Sequence, residues 1–275
     1  MCVEWQSEHE KMMFRNLRRR SPRFRKRFWR TWYDLMAVTV PRADWTFMNY
    51  GWKSPAGDAP RDSAPTAAGY AQALYLRTAG AVSLSNREVV EVGCGRGGGA
   101  EAVLANLGPA RVLGVDFSPR AIAFCRRVHR TSGLEFVVGD AESLPLADES
   151  ADVILSVETT HCYRSTPAFL AQARRVLRPG GHLLLADFRD AASLPDFLEA
   201  IATCGLQRIE EEDITAGVVA ALDAAHGDKV ERVERLVPAP LRKVVLSFAA
   251  TRDSETYRDF HSGAKSYLRF VLRKP

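Results

Sequence analysis

The chain has no apolar run approaching the roughly 18 residues a membrane-crossing helix needs, and its first residues lack the apolar stretch of a secretion signal. Cytoplasmic residence is the expectation. The five cysteines, Cys2, Cys94, Cys125, Cys162 and Cys204, are odd in number and contain no close pair. That argues against a disulfide framework or a zinc motif, and the thiols read as reduced. Acidic residues are missing between Lys11 and Tyr33. The first 30 residues hold ten Lys and Arg against three Glu, leaving 28 basic and 30 acidic side chains in the remainder. The net charge of +5 is therefore local to one end. At 275 residues and 46% hydrophobic content, the chain suits one large or two small globular domains.

What the sequence does contain is organised around Arg87 to Gly99, a β-branched run ending in Glu91 that breaks into glycines and resumes with helical spacing from Ala100 to Leu107. A strand, a tight loop and a helix are expected. Gly93, Gly95 and Gly97 are read as positions where a side chain would stand between a ligand and the backbone. The helix start adds unpaired N–H groups. Such a turn serves dinucleotides, nucleotides and S-adenosylmethionine alike. A second strand, Arg111 to Val115, ends in Asp116, 25 residues after Glu91, where an acid can accept from ribose hydroxyls. A third, Leu134 to Val138, ends in Gly139-Asp-Ala-Glu142.

Strands and helices alternate from Arg87 to Asp187, which predicts an α/β fold with a parallel, doubly wound sheet and ligands at its carboxyl edge. Ser118-Pro119 supplies an N-cap and first-turn proline beside Asp116. Beyond Phe188 the alternation breaks. Helices are expected over Asp190 to Cys204 and Thr215 to Leu236, the latter ended by Pro238-Ala-Pro240. The last strand is expected at Tyr267 to Leu272, with Leu241 to Ala249 or Leu206 to Glu211 as its partner.

With these motifs assembled, the chain resembles the class I S-adenosylmethionine-dependent methyltransferases. The match comprises Glu91-x-Gly-x-Gly-x-Gly97, Asp116, Gly139-Asp-Ala-Glu142, the strand Asp152 to Val157, and Leu177-Arg-Pro-Gly-Gly181. The resemblance implies a seven-stranded Rossmann-like sheet and S-adenosylmethionine as cofactor. It places Gly93 and Gly95 under the methionine part, Asp116 on the ribose, and Asp140 at the adenine with Phe117 and Ala141 as neighbours, and Glu91, Cys94, Gly97 and Glu142 join them as cofactor-binding candidates. Asn49-Tyr-Gly-Trp52 is similar to an aromatic segment that bacterial small-molecule methyltransferases fold over their ligands. Tyr50 is thus a cofactor candidate, or a buried structural tyrosine.

Three regions follow: residues 1–65, a basic and aromatic helical extension and flap; 66–189, the cofactor-binding core; and 190–275, a helical lid with the strands that complete the sheet. Residues 11–30 interleave Arg and Lys with Phe14, Leu17, Phe24 and Phe28. They read either as a helical layer on the core or as a basic amphipathic arm for a membrane surface or acidic partner.

A sulfonium methyl is already activated, so alignment carries most of the rate and an alcohol acceptor needs a base. His161 follows the fourth strand and Asp187 ends the fifth, so adjacent strand ends bring them within reach. They are the expected base and its orienting partner. A His and Asp pair also occurs in the rebeccamycin type of sugar O-methyltransferase, which the chain resembles here. Glu158 is expected to bond a backbone amide or the cofactor's amino group. Glu158 and Asp187 lack the surrounding ligands of a Mg²⁺ site, so no metal is assigned.

A narrower resemblance, to the mycobacterial phthiotriolone and phenolphthiotriolone dimycocerosate methyltransferases, rests on Phe28-Trp-Arg-Thr-Trp-Tyr33, Tyr75-Leu-Arg-Thr78, His161-Cys-Tyr163 and Ser266-Tyr267. It implies O-methylation of a small hydrophobic, hydroxylated natural product. A nicotinamide dehydrogenase would need neither Gly139-Asp-Ala-Glu142 nor Leu177-Arg-Pro-Gly-Gly181. A nucleic-acid methyltransferase is prompted by the arm, but the chain lacks an Asn/Asp-Pro-Pro-aromatic loop and any Pro-Cys pair. A non-catalytic cofactor-binding scaffold is the third alternative.

Overall fold

A computed structural model describes residues 45–54 and 66–275. The basic arm, residues 11–30, lies outside the described residues. Seven strands form one sheet in the order β3-β2-β1-β4-β5-β7-β6. The parallel strands β1 (Glu88–Val92), β2 (Arg111–Asp116), β3 (Leu134–Val138), β4 (Ala151–Val157) and β5 (Leu177–Asp190) alternate with helices. Those helices are α1 (Ala67–Ala79) before β1, then α2 (Gly98–Leu107), α3 (Pro119–Val128) and α4 (Thr166–Val176) in the crossovers. α5 (Leu194–Thr203) leads to β6 (Gln207–Asp213), and β7 (Lys265–Arg273) runs antiparallel between β5 and β6.

The parallel strands are nearly continuous apolar runs because helices cover both sheet faces. Val89, Val112 and Val153 point to one face, and Val90, Ile154 and Leu183 to the other. Fully burying a side chain of this size stabilises the fold by about 2 kcal/mol. β6 is different. Its residues Gln207 to Glu211 are exposed and carry charge at the sheet edge, which discourages edge-to-edge association.

Crossover helices begin where their sequence dictates. Ser118 accepts from the Ala121 N–H at 3.1 Å, and Ser165 accepts from Ala168 at the start of α4 at 3.1 Å. Each is followed by a proline in the first turn, which lacks the N–H that would otherwise go unpaired.

Two features depart from the sequence reading. Leu241 to Ala249, one of the two candidate closing strands, is helical: α7 spans Ala239–Phe248. Leu241, Val244, Val245 and Phe248 recur at helical spacing, and Pro240 sits in the first turn. The Leu206 to Glu211 alternative coincides with β6. In addition, α8 (Glu255–His261), which no periodicity marked, is started by Ser254 accepting from the Tyr257 N–H. The long α6 (Thr215–Leu236), α7 and α8 therefore all lie between β6 and β7. None of the described helices is long and apolar enough to cross a membrane.

Candidate active site

The carboxyl ends of β1, β2, β3 and β4 converge on a cleft of about 890 Å³. Its floor is the turn from β1 to α2. Gly93 and Cys94 donate to the Val115 carbonyl at 2.8 and 3.1 Å, and Gly97 donates to Cys94 at 2.8 Å. Asp116 fastens the same turn: one oxygen accepts from the Gly95 N–H and the other from the Ser118 N–H, each at 2.9 Å. A carboxylate has about four acceptor sites, so sugar hydroxyls can still be accommodated.

The three glycines are bare for different reasons. All have φ between +52° and +81°. Gly93 and Gly95 both line the cleft, and a Cβ on Gly95 would meet nothing within 4 Å. On Gly93 it would lie 2.4 Å from Thr159 Cγ2, and on Gly97 2.7 Å from the His129 ring. Those two glycines serve packing.

Glu91 lies beneath the turn at 1% exposure, and neither of its carboxylate oxygens has a hydrogen-bond partner of sound geometry. Burial pushes its carboxyl up to about 7, with the Tyr75 hydroxyl and Ala100 amide pulling weakly the other way. Glu91 is thus buried behind the cleft wall and is not among the residues that line it, whereas its neighbours Tyr75, Val92 and Gly93 are. Phe117, Asp140, Ala141 and Glu142 line the far side of the cleft. Asp140 closes its own turn by accepting from Glu142 at 3.1 Å. Glu142 accepts from the Ser165 N–H at 2.7 Å and from Arg164 at 2.9 Å, so its carboxylate also anchors the start of α4.

A second, larger cavity adjoins the cleft, and Met48, Glu158 and Tyr163 line both. His161 faces this cavity from a short 3-10 turn, Thr160–Cys162, just past β4. Its Nδ1 lies 2.8 Å from Asp187 Oδ1, and its backbone N–H donates to Asp187 Oδ2 at 3.0 Å. Asp187, fully buried on β5, also accepts from the Thr160 hydroxyl at 2.5 Å and the Phe188 N–H at 2.8 Å. Arg189 lies 3.4 Å away. Burial opposes the Asp187 charge, but His161 and Arg189 outweigh it and hold the carboxyl well below its usual range. Burial likewise pulls His161 down, yet the neighbouring Cys162 and Asp187 raise it to about 10.

Glu158 takes a positive φ of 52° and accepts from the Tyr50 N–H at 2.8 Å and the Tyr267 hydroxyl at 3.1 Å. Burial raises its carboxyl to about 7. Tyr50 itself stands away from the cofactor cleft, its ring 5.4 Å from Phe188 and 5.8 Å from Phe260. Thr46, Met48 and Asn49 of the same segment reach the cleft instead. Arg96, which also lines the cleft and which no motif singles out, bonds the Trp45 carbonyl through its guanidinium and stacks 3.9 Å over Phe124. An arginine within a glycine run was the available signal. Among the described residues no cluster of His, Cys, Asp and Glu could hold a metal.

Residues 90–185 match the family described as a methyltransferase domain. Over 79% of its length the chain is 40% identical to the probable phthiotriol/phenolphthiotriol dimycocerosates methyltransferase 2 of Mycobacterium ulcerans, covering 84% of that protein. In shape it is similar to the [4+2]-cyclase SpnF, with a TM-score of 0.70 at 19% identity over 89% of this chain and 94% of that one. The latter likeness shows the fold alone. The chain belongs to the class I S-adenosylmethionine-dependent methyltransferases, and S-adenosylmethionine is its cofactor. Within that class it is also similar to the fatty-acid O-methyltransferase of Mycolicibacterium smegmatis, at 34% identity over 84% of each chain.

Proposed function

We propose that this enzyme methylates a hydroxyl of a small hydrophobic natural product, lipid, polyketide or glycoside, with His161 as base and Asp187 as its orienting partner. The observation that carries the reading is the His161–Asp187 pair on the wall of a large cavity that meets the cofactor cleft at Glu158 and Tyr163. S-adenosylmethionine, when bound, supplies a methyl already activated on a sulfonium sulfur. Gly95 and Asp116 would hold its methionine and ribose parts, and Phe117, Asp140 and Ala141 its adenine.

The chain's own contribution is alignment and one proton. Asp187 fixes the Nδ1–H of His161, which leaves Nε2 as the nitrogen that can take the acceptor's proton. Phe188 packs on the imidazole at 4.3 Å and limits its rotation. The relatives named for phthiotriol dimycocerosates and fatty acids support a lipid-like acceptor. For residues 11–30 the reading is contact with an anionic membrane surface or an acidic partner, consistent with their charge. We divide the chain functionally into that extension and flap, the core of residues 66–189, and the lid region of residues 190–275.

The test is to incubate the protein and methyl-labelled cofactor with lipid extracts of its source and to locate the added methyl by mass spectrometry. An oxygen-linked methyl is expected. His161→Ala lowers kcat by about 10²–10⁴-fold while leaving cofactor affinity unchanged. Since His161 is raised to about 10, the neutral base accumulates as pH rises, so kcat/KM climbs on the alkaline side of neutrality. Asp187→Asn removes a field that retains the proton, and shifts that climb to lower pH at a reduced maximum. Full turnover in His161→Ala sinks the assignment of the base.

A further inference from the structure

A third, smaller cavity lies where the Trp45–Tyr50 segment, α1, α6 and α7 meet. Its walls are aromatic and aliphatic apart from Asn49 and two cations, Lys229 and Arg232. Among the described residues no carboxylate lines it. Lys229 is largely enclosed, and its ammonium donates to the Ala249 carbonyl at 3.1 Å. Among the described residues it makes no ion pair. With Glu158 and Asp228 acting only from outside ion-pair distance, a lysine so placed is costly to bury unless an anion completes it.

The place of this cavity is as informative as its charge. It shares Met48, Tyr50 and Phe248 with the large cavity that His161 faces. The Lys229 ammonium stands 5.9 Å from the Tyr50 ring, Tyr50 packs on Phe188, and Phe188 packs on His161. Two aromatic rings thus separate the cation from the proposed base.

We infer that this cavity is a second substrate subsite that takes the anionic end, carboxylate or phosphate, of an amphipathic chain whose hydroxyl end reaches His161. The inference rests on the proposed reading of the large cavity as the acceptor site. Lys229 provides the charge contact, and the apolar walls of Phe47, Val233 and Val245 exclude water from it. Burial pulls the ammonium down to about 8, with Glu158 and Asp228 pulling weakly the other way, as expected of a cation set up to be completed by a ligand. The subsite selects for acceptors that are charged at one end and hydroxylated at the other.

Calorimetric titration of the full-length protein with S-adenosylhomocysteine bound tests this without requiring turnover. The probes are ω-hydroxylaurate and the uncharged diol of the same chain length, each below its aggregation threshold. The carboxylate binds about tenfold or more tightly than the diol, as a charged hydrogen bond in an enclosed site warrants. Lys229→Met abolishes that preference, Lys229→Arg keeps most of it, and both variants retain native cofactor affinity as the check on folding. Inorganic phosphate at millimolar concentration fails to displace the carboxylate, which separates an amphiphile site from a small-anion site. Equal affinity for the two probes, an undiminished preference in Lys229→Met, or displacement by phosphate overturns the inference. If the preference is seen but neither probe is methylated by the active enzyme, the subsite stands and the reading of the acceptor chemistry fails instead.

Discussion

Gly95 and Gly97 are two residues apart, share a left-handed backbone, and have opposite consequences for the enzyme. The added methyl of Gly95→Ala meets no other atom of the protein within 4 Å. The apo fold therefore loses only the left-handed penalty of roughly 1–2 kcal/mol, while cofactor binding is lost because the methyl occupies the space of the ligand. Gly97→Ala drives a methyl to within 2.9 Å of both the His129 and Phe136 rings. It lowers the melting temperature much further, since the ring packing beneath the loop must give way. Thermal denaturation of the apo proteins and titration with S-adenosylhomocysteine separate the two effects. Equal melting temperatures for the two variants contradict this division of roles. Glu91 belongs to the same scale. Burial holds its carboxyl up near 7, a desolvation cost of the kind concentrated at functional sites.

At the scale of elements, β7 is the strand that returns the chain from α6, α7 and α8 to the sheet. It is held between β5 and the polar edge strand β6, and its Arg269 is only 5% exposed. That guanidinium bonds Glu212 at 2.9 Å and also Glu210, both on β6. The two glutamates are partly exposed, so on Arg269→Met they rehydrate, and the substitution costs roughly 1–3 kcal/mol. The loss is local. Hydrogen exchange is expected to quicken in the amides of β6 and leave β1 to β4 protected. Uniform loss of protection across the sheet contradicts this picture of a separately held edge. Because α6 leaves directly from the end of β6, loosening this edge also raises KM for the acceptor more than for the cofactor.

For the whole molecule, charge is segregated. Residues 1–30 hold the surplus of cations, and the remainder is close to neutral, with 28 basic and 30 acidic groups. Deleting residues 1–30 is expected to abolish salt-sensitive binding to vesicles containing anionic lipid, with kcat on a freely soluble acceptor unchanged. Sedimentation with vesicles at low and physiological salt reads the first effect, and a methyl-transfer assay the second. Unchanged vesicle binding rules out the arm as a membrane contact.

The sequence by itself determined the sheet, the order of its parallel strands' ligand loops and the cofactor. Those depend on local signals: β-branched runs, the glycines from Gly93 to Gly97, the acids Asp116 and Asp140, and the Ser118-Pro119 cap, each acting within a few residues of itself. It left the choice between Leu206 to Glu211 and Leu241 to Ala249 open, because a short apolar run carries no unambiguous period. α8 had too few turns to show one. Only the tertiary structure decided which groups meet. It brought Tyr50 to the Glu158 carboxylate and away from the cofactor cleft, 108 residues apart in sequence. It also set Gly93 and Gly97 against side chains, leaving Gly95 with open space beside it, and placed Lys229 in a pocket that no described acid lines. Such contacts depend on long-range packing of one element on another, and no window along the chain contains both partners.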